Sequence, residues 1–204
     1  MAMTYTFRFD DVSVNTDERK LSQMIAFLRS TFQPDQLRII LAVSPAVYDM
    51  RHCDKTLERE RVFPSIWHTE SDYRIFYRMQ GLGVPRVVTA LLENSKVIEV
   101  AGHGLVHVDH RLMPRAAQEL SIIMSCSVLS CSTFVPPFHK WNKDTEEICA
   151  EHAIQLVKFD RSWRHLVYHT FDHRNPNYYV HTHDFHYQSF CAQFTAEGLG
   201  VSVS

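Results

Sequence analysis

Short apolar, β-branched runs recur along the 204-residue chain with helix-spaced stretches between them, and this alternation constrains the fold more than any other feature. The segments YTFRF at 5–9, LRIILAV at 37–43, KVIEVA at 96–101, IQLVKF at 154–159 and NYYVHTHDF at 177–185 read as strands. STFVPPF at 132–138 reads as an extended segment halted by its prolines. Residues 17–32 set Leu21, Met24, Ile25 and Leu28 at helical spacing, and 115–129 form a second helical stretch. A third, 142–153, begins with an asparagine cap and acids in its first turn. Strands alternating with helices predict an α/β fold with a largely parallel sheet or barrel. Residues 48–85 break the pattern, being longer and more polar. They are expected to form a partly helical insertion over the open end of a single domain spanning 1–204.

A chain of this length buries most of its apolar surface and needs no disulfide staple. The net charge is −2 and no basic run or basic helix face occurs, which argues against nucleic acid or an acidic membrane as the main partner. Five cysteines, Cys53, Cys126, Cys131, Cys149 and Cys191, are odd in number and lack C-x-x-C spacing. Neither a disulfide framework nor a thiolate zinc site is expected from them; they read as small core residues in a reducing compartment. The opening MAMTYTFRFDD is charged and unlike a signal peptide, and no stretch approaches the roughly 20 apolar residues of a membrane span. The expectation is a cytoplasmic protein.

Polar residues gather where the expected strands end. Asp10 and Asp11 follow the first, His103 and His107 follow VIEVA with His110 close behind, Pro136-Pro137 follow another, and His181, His183 and Asp184 close the last. In parallel α/β architectures catalytic groups collect at the carboxyl ends of strands, so these segments are expected to converge on one face. A spacing of four puts His103 and His107 on one side of a first helical turn, suiting two nitrogen ligands about 2.0–2.1 Å from a zinc-like ion. Gly102 and Gly104 would let backbone and ligand approach closely. The plainer alternative is surface or hydrogen-bonded core histidines. Adjacent carboxylates repel unless a cation or proton lies between them, which suggests one metal ligand and one base; a capped turn is the alternative. Phe138 and Trp141 could stack on a sugar or fill core. In a strand, His181 and His183 share a face from which Asp184 points away, and one of the two histidines could serve as a general acid.

Asp-Asp after the first strand, H-x-x-x-H, x-P-P-[YF] and a late histidine-bearing strand, in this order over residues 5 to 186, resemble the polysaccharide deacetylases (carbohydrate esterase family four). The resemblance implies a distorted (β/α) barrel of about seven strands that removes acetyl groups from sugars with one divalent metal ion: zinc first, with nickel, cobalt, iron or manganese as alternatives. It implies Asp11, His103 and His107 as metal ligands and Asp10 as general base. Phe138 would lend its backbone N–H to the oxyanion, and His183, or else His181, would be the general acid. Trp141, His139, Asn142 and His181 would meet an acetylated sugar or polysaccharide precursor. HGLVH with FVPPFHKWN is most similar to a cytoplasmic branch among surface-polysaccharide (O-antigen) biosynthesis proteins.

Three departures stand out. Val135 occupies the place of the family arginine that steadies the base, leaving His139, Lys140 and Asn142 as candidates for its work. Gly104 replaces the usual serine or threonine, and FDRSW at 159–163 keeps only Asp160 and Trp163 of a family segment. Other functions compete. His107-Val-Asp109 has the H-x-D spacing of non-haem iron oxygenases, but no Lys or Arg follows Arg174 and the helices contradict an all-β barrel. A cupin-like reading fails on six glycines. A non-catalytic descendant that binds carbohydrate or a partner enzyme is the remaining alternative.

Overall fold

The computed structural model describes residues 3–48, 79–80, 82–93, 95–183, 186–195 and 198–199. Its strands are β1 (Tyr5–Val12), β2 (Leu37–Val43), β3 (Val47–Tyr48), β4 (Met79–Gln80), β5 (Ile98–Gly102), β6 (Thr133–Phe134), β7 (Gln155–Leu156), β8 (Trp163–His165) and β9 (Asn177–His181). The helices are α1 (Glu18–Thr31), α2 (Arg86–Leu92), α3 (Arg115–Val128), α4 (Lys143–Glu151) and α5 (Tyr187–Cys191). Seven strands form one parallel sheet in the order β7-β6-β5-β2-β1-β9-β8. The separate pair β3–β4 is antiparallel. Most of the insertion expected at 48–85 lies outside the described residues, as does Asp184. No helix among the described residues is long and apolar enough to cross a membrane.

By its contacts the chain divides into two compact units, the first made of residues 1–42, 85–100 and 159–204. Its core is aromatic. Phe7 stacks on Tyr178 with centroids 5.5 Å apart, and Phe32, Phe171 and Phe194 close around it. Helix α1 buries Leu21, Met24, Ile25 and Leu28 and starts on Asp17, whose carboxylate accepts from the Lys20 N–H at 3.0 Å. The period of two in YTFRFDD sends Phe7 and Phe9 to this core and Arg8 and Asp10 to the opposite face. On that opposite face the parallel register sets Tyr179 and His181 of β9 beside Arg8 and Asp10, with His165 of β8 beside Tyr179.

The second unit comprises residues 43–84 and 101–158. One of its apolar clusters joins Ala46, Leu105, Val106, Met113 and Ala117; another joins Ile122, Cys126, Phe134, Ile148 and Cys149. The four described cysteines are free thiols, and burial pushes Cys149 up to about 12. Helix α4 opens with a capping box: the Asn142 side chain accepts from Thr145 N–H at 3.0 Å, and Thr145 Oγ1 in turn bonds Gln118 Oε1 of α3 at 2.8 Å.

Five elements depart from expectation. The first strand runs on to Val12, so Asp10 and Asp11 lie within it rather than after it, and the last strand stops at His181. Helices α2 and α5 and strand β8 had no periodic run long enough to announce them.

Candidate active site

In the first unit the ends of β1 and β9 bring together Asp10, Asp11, His181 and His183. Asp10 is fully buried and held by Arg8, equally buried, through two parallel bonds: Nε to Oδ1 at 2.7 Å and Nη2 to Oδ2 at 2.9 Å. Strict alternation would aim Asp11 at the aromatic core with Phe7 and Phe9, where a carboxylate is costly. A left-handed backbone at Asp11, φ 62°, takes it out of that pattern. The strain is held by β9's continuation: Thr182 N–H donates to the Asp10 carbonyl at 3.1 Å and Thr182 Oγ1 to the Asp11 carbonyl at 3.3 Å. The Asp11 carboxylate lies 3.4 Å from His183 Nδ1, and the rings of His181 and His183 stack 5.5 Å apart. Thus His181 ends β9 while His183 stands in the turn beyond it rather than on the same strand face, and it is His183 that touches Asp11.

In the second unit His103, at the end of β5, is buried and fixed on three sides. Its N–H donates to the Val43 carbonyl at 2.8 Å, its carbonyl accepts from Ser44 Oγ at 2.9 Å, and its Nδ1 lies 2.8 Å from the Val135 carbonyl oxygen. A carbonyl oxygen can only accept, so Nδ1 carries a proton, and Nε2 is the ring nitrogen through which His103 would ligate a metal. The helical turn expected at His103–His107 does not form. Ser44 holds the carbonyl that a helix would offer to His107, Leu105 N–H donates to Ser121 Oγ at 3.0 Å, and Ala46 N–H donates to the Leu105 carbonyl at 3.0 Å. The irregular loop still sets the two imidazoles 5.0 Å apart.

The flanking glycines are closely packed. A Cβ on Gly102 would sit 2.8 Å from Ser125 Oγ; one on Gly104, whose φ is +76°, would sit 2.8 Å from His110 Cε1. His110 is the buried prop beneath this loop, its Nε2 3.0 Å from Ser121 Oγ. Burial, and then the neighbouring His103, lower its pKa to about 3, so it stays neutral.

Phe138 and His139 both have left-handed φ of 56°, and the half-exposed Phe138 ring rests 4.4 Å from that of His107. The His139 and Lys140 N–H groups return to the Pro136 and Pro137 carbonyls, leaving the Phe138 N–H outside these two turn bonds. Beyond them, Trp141 Nε1 donates to Glu146 at 3.0 Å, Asn142 caps α4, and Lys140 lies 3.9 Å from Asp109. Asp109, central to the iron-oxygenase alternative, is committed to Arg111. Burial pushes its carboxyl up, but two Arg111 hydrogen bonds bring it net below the usual range.

Within the second unit, Glu119, Glu151 and His152 form a group that could hold a metal ion, but it is a surface network already engaged in ion pairs, His152 to Glu119 at 2.9 Å and Arg115 to Glu151 at 2.7 Å. Asp11 in the first unit, and His103 with His107 in the second, supply the carboxylate and imidazole donor types that suit a zinc-like ion. Sequence reasoning missed Arg8. Its signal was present in the strand period, which puts residue 8 on the face of residue 10.

No protein-family model matches the sequence, and no curated protein matches it. Solved structures do. A family 4 carbohydrate esterase from Streptomyces lividans, in complex with acetate, superposes with a TM-score of 0.53 at 15% identity, over 94% of this chain and 83% of that one. The peptidoglycan deacetylase PdaC from Bacillus subtilis superposes with a TM-score of 0.52 at 10% identity, over 98% of this chain and 81% of that one. A variant of the latter gives 0.54 at 10% identity, with coverages of 98% and 82%. At such identities the likeness shows the fold: it is the distorted (β/α) barrel of the polysaccharide deacetylases.

Proposed function

We propose that this chain is a metal-dependent hydrolase that removes an N-linked acetyl group from a sugar or polysaccharide precursor. It acts as one catalytic domain of the polysaccharide deacetylase family, in a cytoplasmic branch serving surface-polysaccharide (O-antigen) synthesis. The observation that supports this reading is the left-handed Asp11, paired with His183 and next to the Arg8-held Asp10 at the end of β1, on a fold shared with carbohydrate esterases.

Asp11, His103 and His107 hold one divalent ion, zinc by preference. When bound, that ion supplies Lewis acidity toward the acetyl carbonyl and toward water. Asp10, held by Arg8, takes a proton from the attacking water. The Phe138 N–H donates to the oxygen on which negative charge develops, a contact whose loss typically lowers kcat about 10²–10³-fold. His183 delivers a proton to the departing sugar amine as the carbon–nitrogen bond breaks, and acetate and a free amine result. Trp141, His139, Asn142 and His181 face the sugar.

The test is metal analysis followed by acetate release from N-acetylated sugar oligomers. The wild-type chain carries about one ion and releases acetate. Asp11→Ala loses metal and turnover together, whereas Asp10→Asn keeps the metal and loses turnover. Retained metal and activity in both variants defeats the assignment.

A further inference from the structure

Burying an arginine and an aspartate completely is seldom a gain in stability, because the desolvation of two ions rivals their attraction. The Arg8–Asp10 pair is wholly buried all the same, with side-chain exposures of 0% and 1%. It stands on the polar face of β1, away from the aromatic core, next to the strained residue Asp11. More groups hold Arg8 than a simple ion pair needs. Its guanidinium carbon lies 4.6 Å from the Trp163 ring centroid on β8 and 5.5 Å from that of Tyr179 on β9. Tyr179 is its register partner across the β1–β9 pairing. Three neighbouring strands therefore fix the plane of the guanidinium, and a two-point fork transmits that plane to both Asp10 oxygens.

The geometry points to Arg8, clamped by Trp163 and Tyr179, as the positioning residue that aims the Asp10 carboxylate. The work that Val135 cannot do is done from within β1, two residues ahead of the carboxylate itself. Arg8 acts only through Asp10. The inference rests on the deacetylase reading for what Asp10 does, but not for how Asp10 is held. Lysine in place of Arg8 keeps the charge and loses the fork. A carboxylate held at one point samples other planes, and a misplacement of about 1 Å costs on the order of 10²-fold in rate.

The test compares four full-length proteins, wild type, Arg8→Lys, Asp10→Asn and the double variant, for metal content, acetate release from N-acetylated sugar oligomers, and crystal structure. Arg8→Lys is expected to keep its metal and hold KM within about twofold while kcat falls about 10–100-fold. Added to Asp10→Asn, it should cost no more than about a further twofold, because the carboxylate it aims is already gone. An equal loss in both backgrounds would mark Arg8 as a structural residue and overturn the proposal. Should Arg8→Lys not fold, Trp163→Leu removes one wall of the clamp and should show the same signature in weaker form; a change in KM alone would overturn the idea. The crystal structures decide the matter independently of turnover. Asp10 is expected to turn or split between positions in Arg8→Lys, and one unchanged Asp10 position overturns the inference. A wild type that releases no acetate, together with a displaced Asp10 in the variant, would instead defeat the deacetylase reading and leave the role of Arg8 standing.

Discussion

The three histidines between residues 103 and 110 divide into two kinds, and their partners rather than their burial separate them, since His103 and His110 are both buried. His103 and His107 carry side chains suited to a ligand set, whereas His110 lies beneath the loop, neutral, with its ring where a Gly104 side chain would have to be. Proximity in sequence grouped all three, and nothing in their spacing distinguishes a ligand from a prop. The difference has a measurable consequence. Unfolded histidine titrates near 6.5, while folded His110, through burial first and the neighbouring His103 second, is lowered to about 3. Between these values the unfolded chain binds a proton that the folded chain does not, so stability must fall as pH drops below about 6.5. The slope reaches at most about 1.4 kcal/mol per pH unit, and the effect is flat above neutrality. Thermal melts of the metal-stripped protein between pH 7 and pH 4.5 should show this decline. His110→Gln, which can keep the bond to Ser121, should start lower and slope less; equal slopes in the two proteins would remove His110 as the cause.

At the scale of elements, the long periodic segments were legible and the short ones were not. Helix α1 buries the four residues its spacing named, and α4 opens on the asparagine that its capping pattern marked. Strand β8 has three residues, too few for any period; its existence is conferred by pairing with β9. The loop from His103 to His107 failed as a helix for a reason that a local pattern cannot contain. Its hydrogen-bond partners are Ser44, Ala46 and Ser121, all distant in sequence. Arg8 was hidden differently, since a strand's period names a shared face but not the ion pair upon it. Asn142 illustrates a residue with two candidate roles. As cap of α4 it bonds Thr145, itself buried and bonded to Gln118. Asn142→Ala should therefore cost about 1 kcal/mol of stability, and Asn142→Asp, which retains a capping oxygen, should recover most of it. Chemical denaturation measures the cost. A KM that rises in Asn142→Ala but not in Asn142→Asp would mean that contact with substrate depends on the cap rather than on the amide.

At the scale of the whole molecule, the proposed metal ties function to folding. Asp11 lies far from His103 and His107 along the chain, and closing such a loop in an unfolded polypeptide carries an entropic cost that leaves no preformed site there. An ion that binds the native state alone must stabilise it, by about 2.7 kcal/mol at a hundredfold excess over Kd. For a chain of this size that corresponds to a rise in Tm of roughly 5–10 °C. Zinc added to chelator-treated protein should produce such a shift, saturating as the site fills. Asp11→Ala should lose the shift, because two imidazoles alone bind weakly, whereas Asp10→Asn should keep it, its carboxylate being committed to Arg8. The surface group Glu119, Glu151 and His152 supplies the necessary control. Glu119→Gln breaks that group, and a full metal-dependent shift in this variant separates the interior site from adventitious binding outside. If instead Glu119→Gln abolishes the shift and Asp11→Ala retains it, the ion sits on the surface, and the chemistry assigned to the ends of β1 and β5 loses its metal.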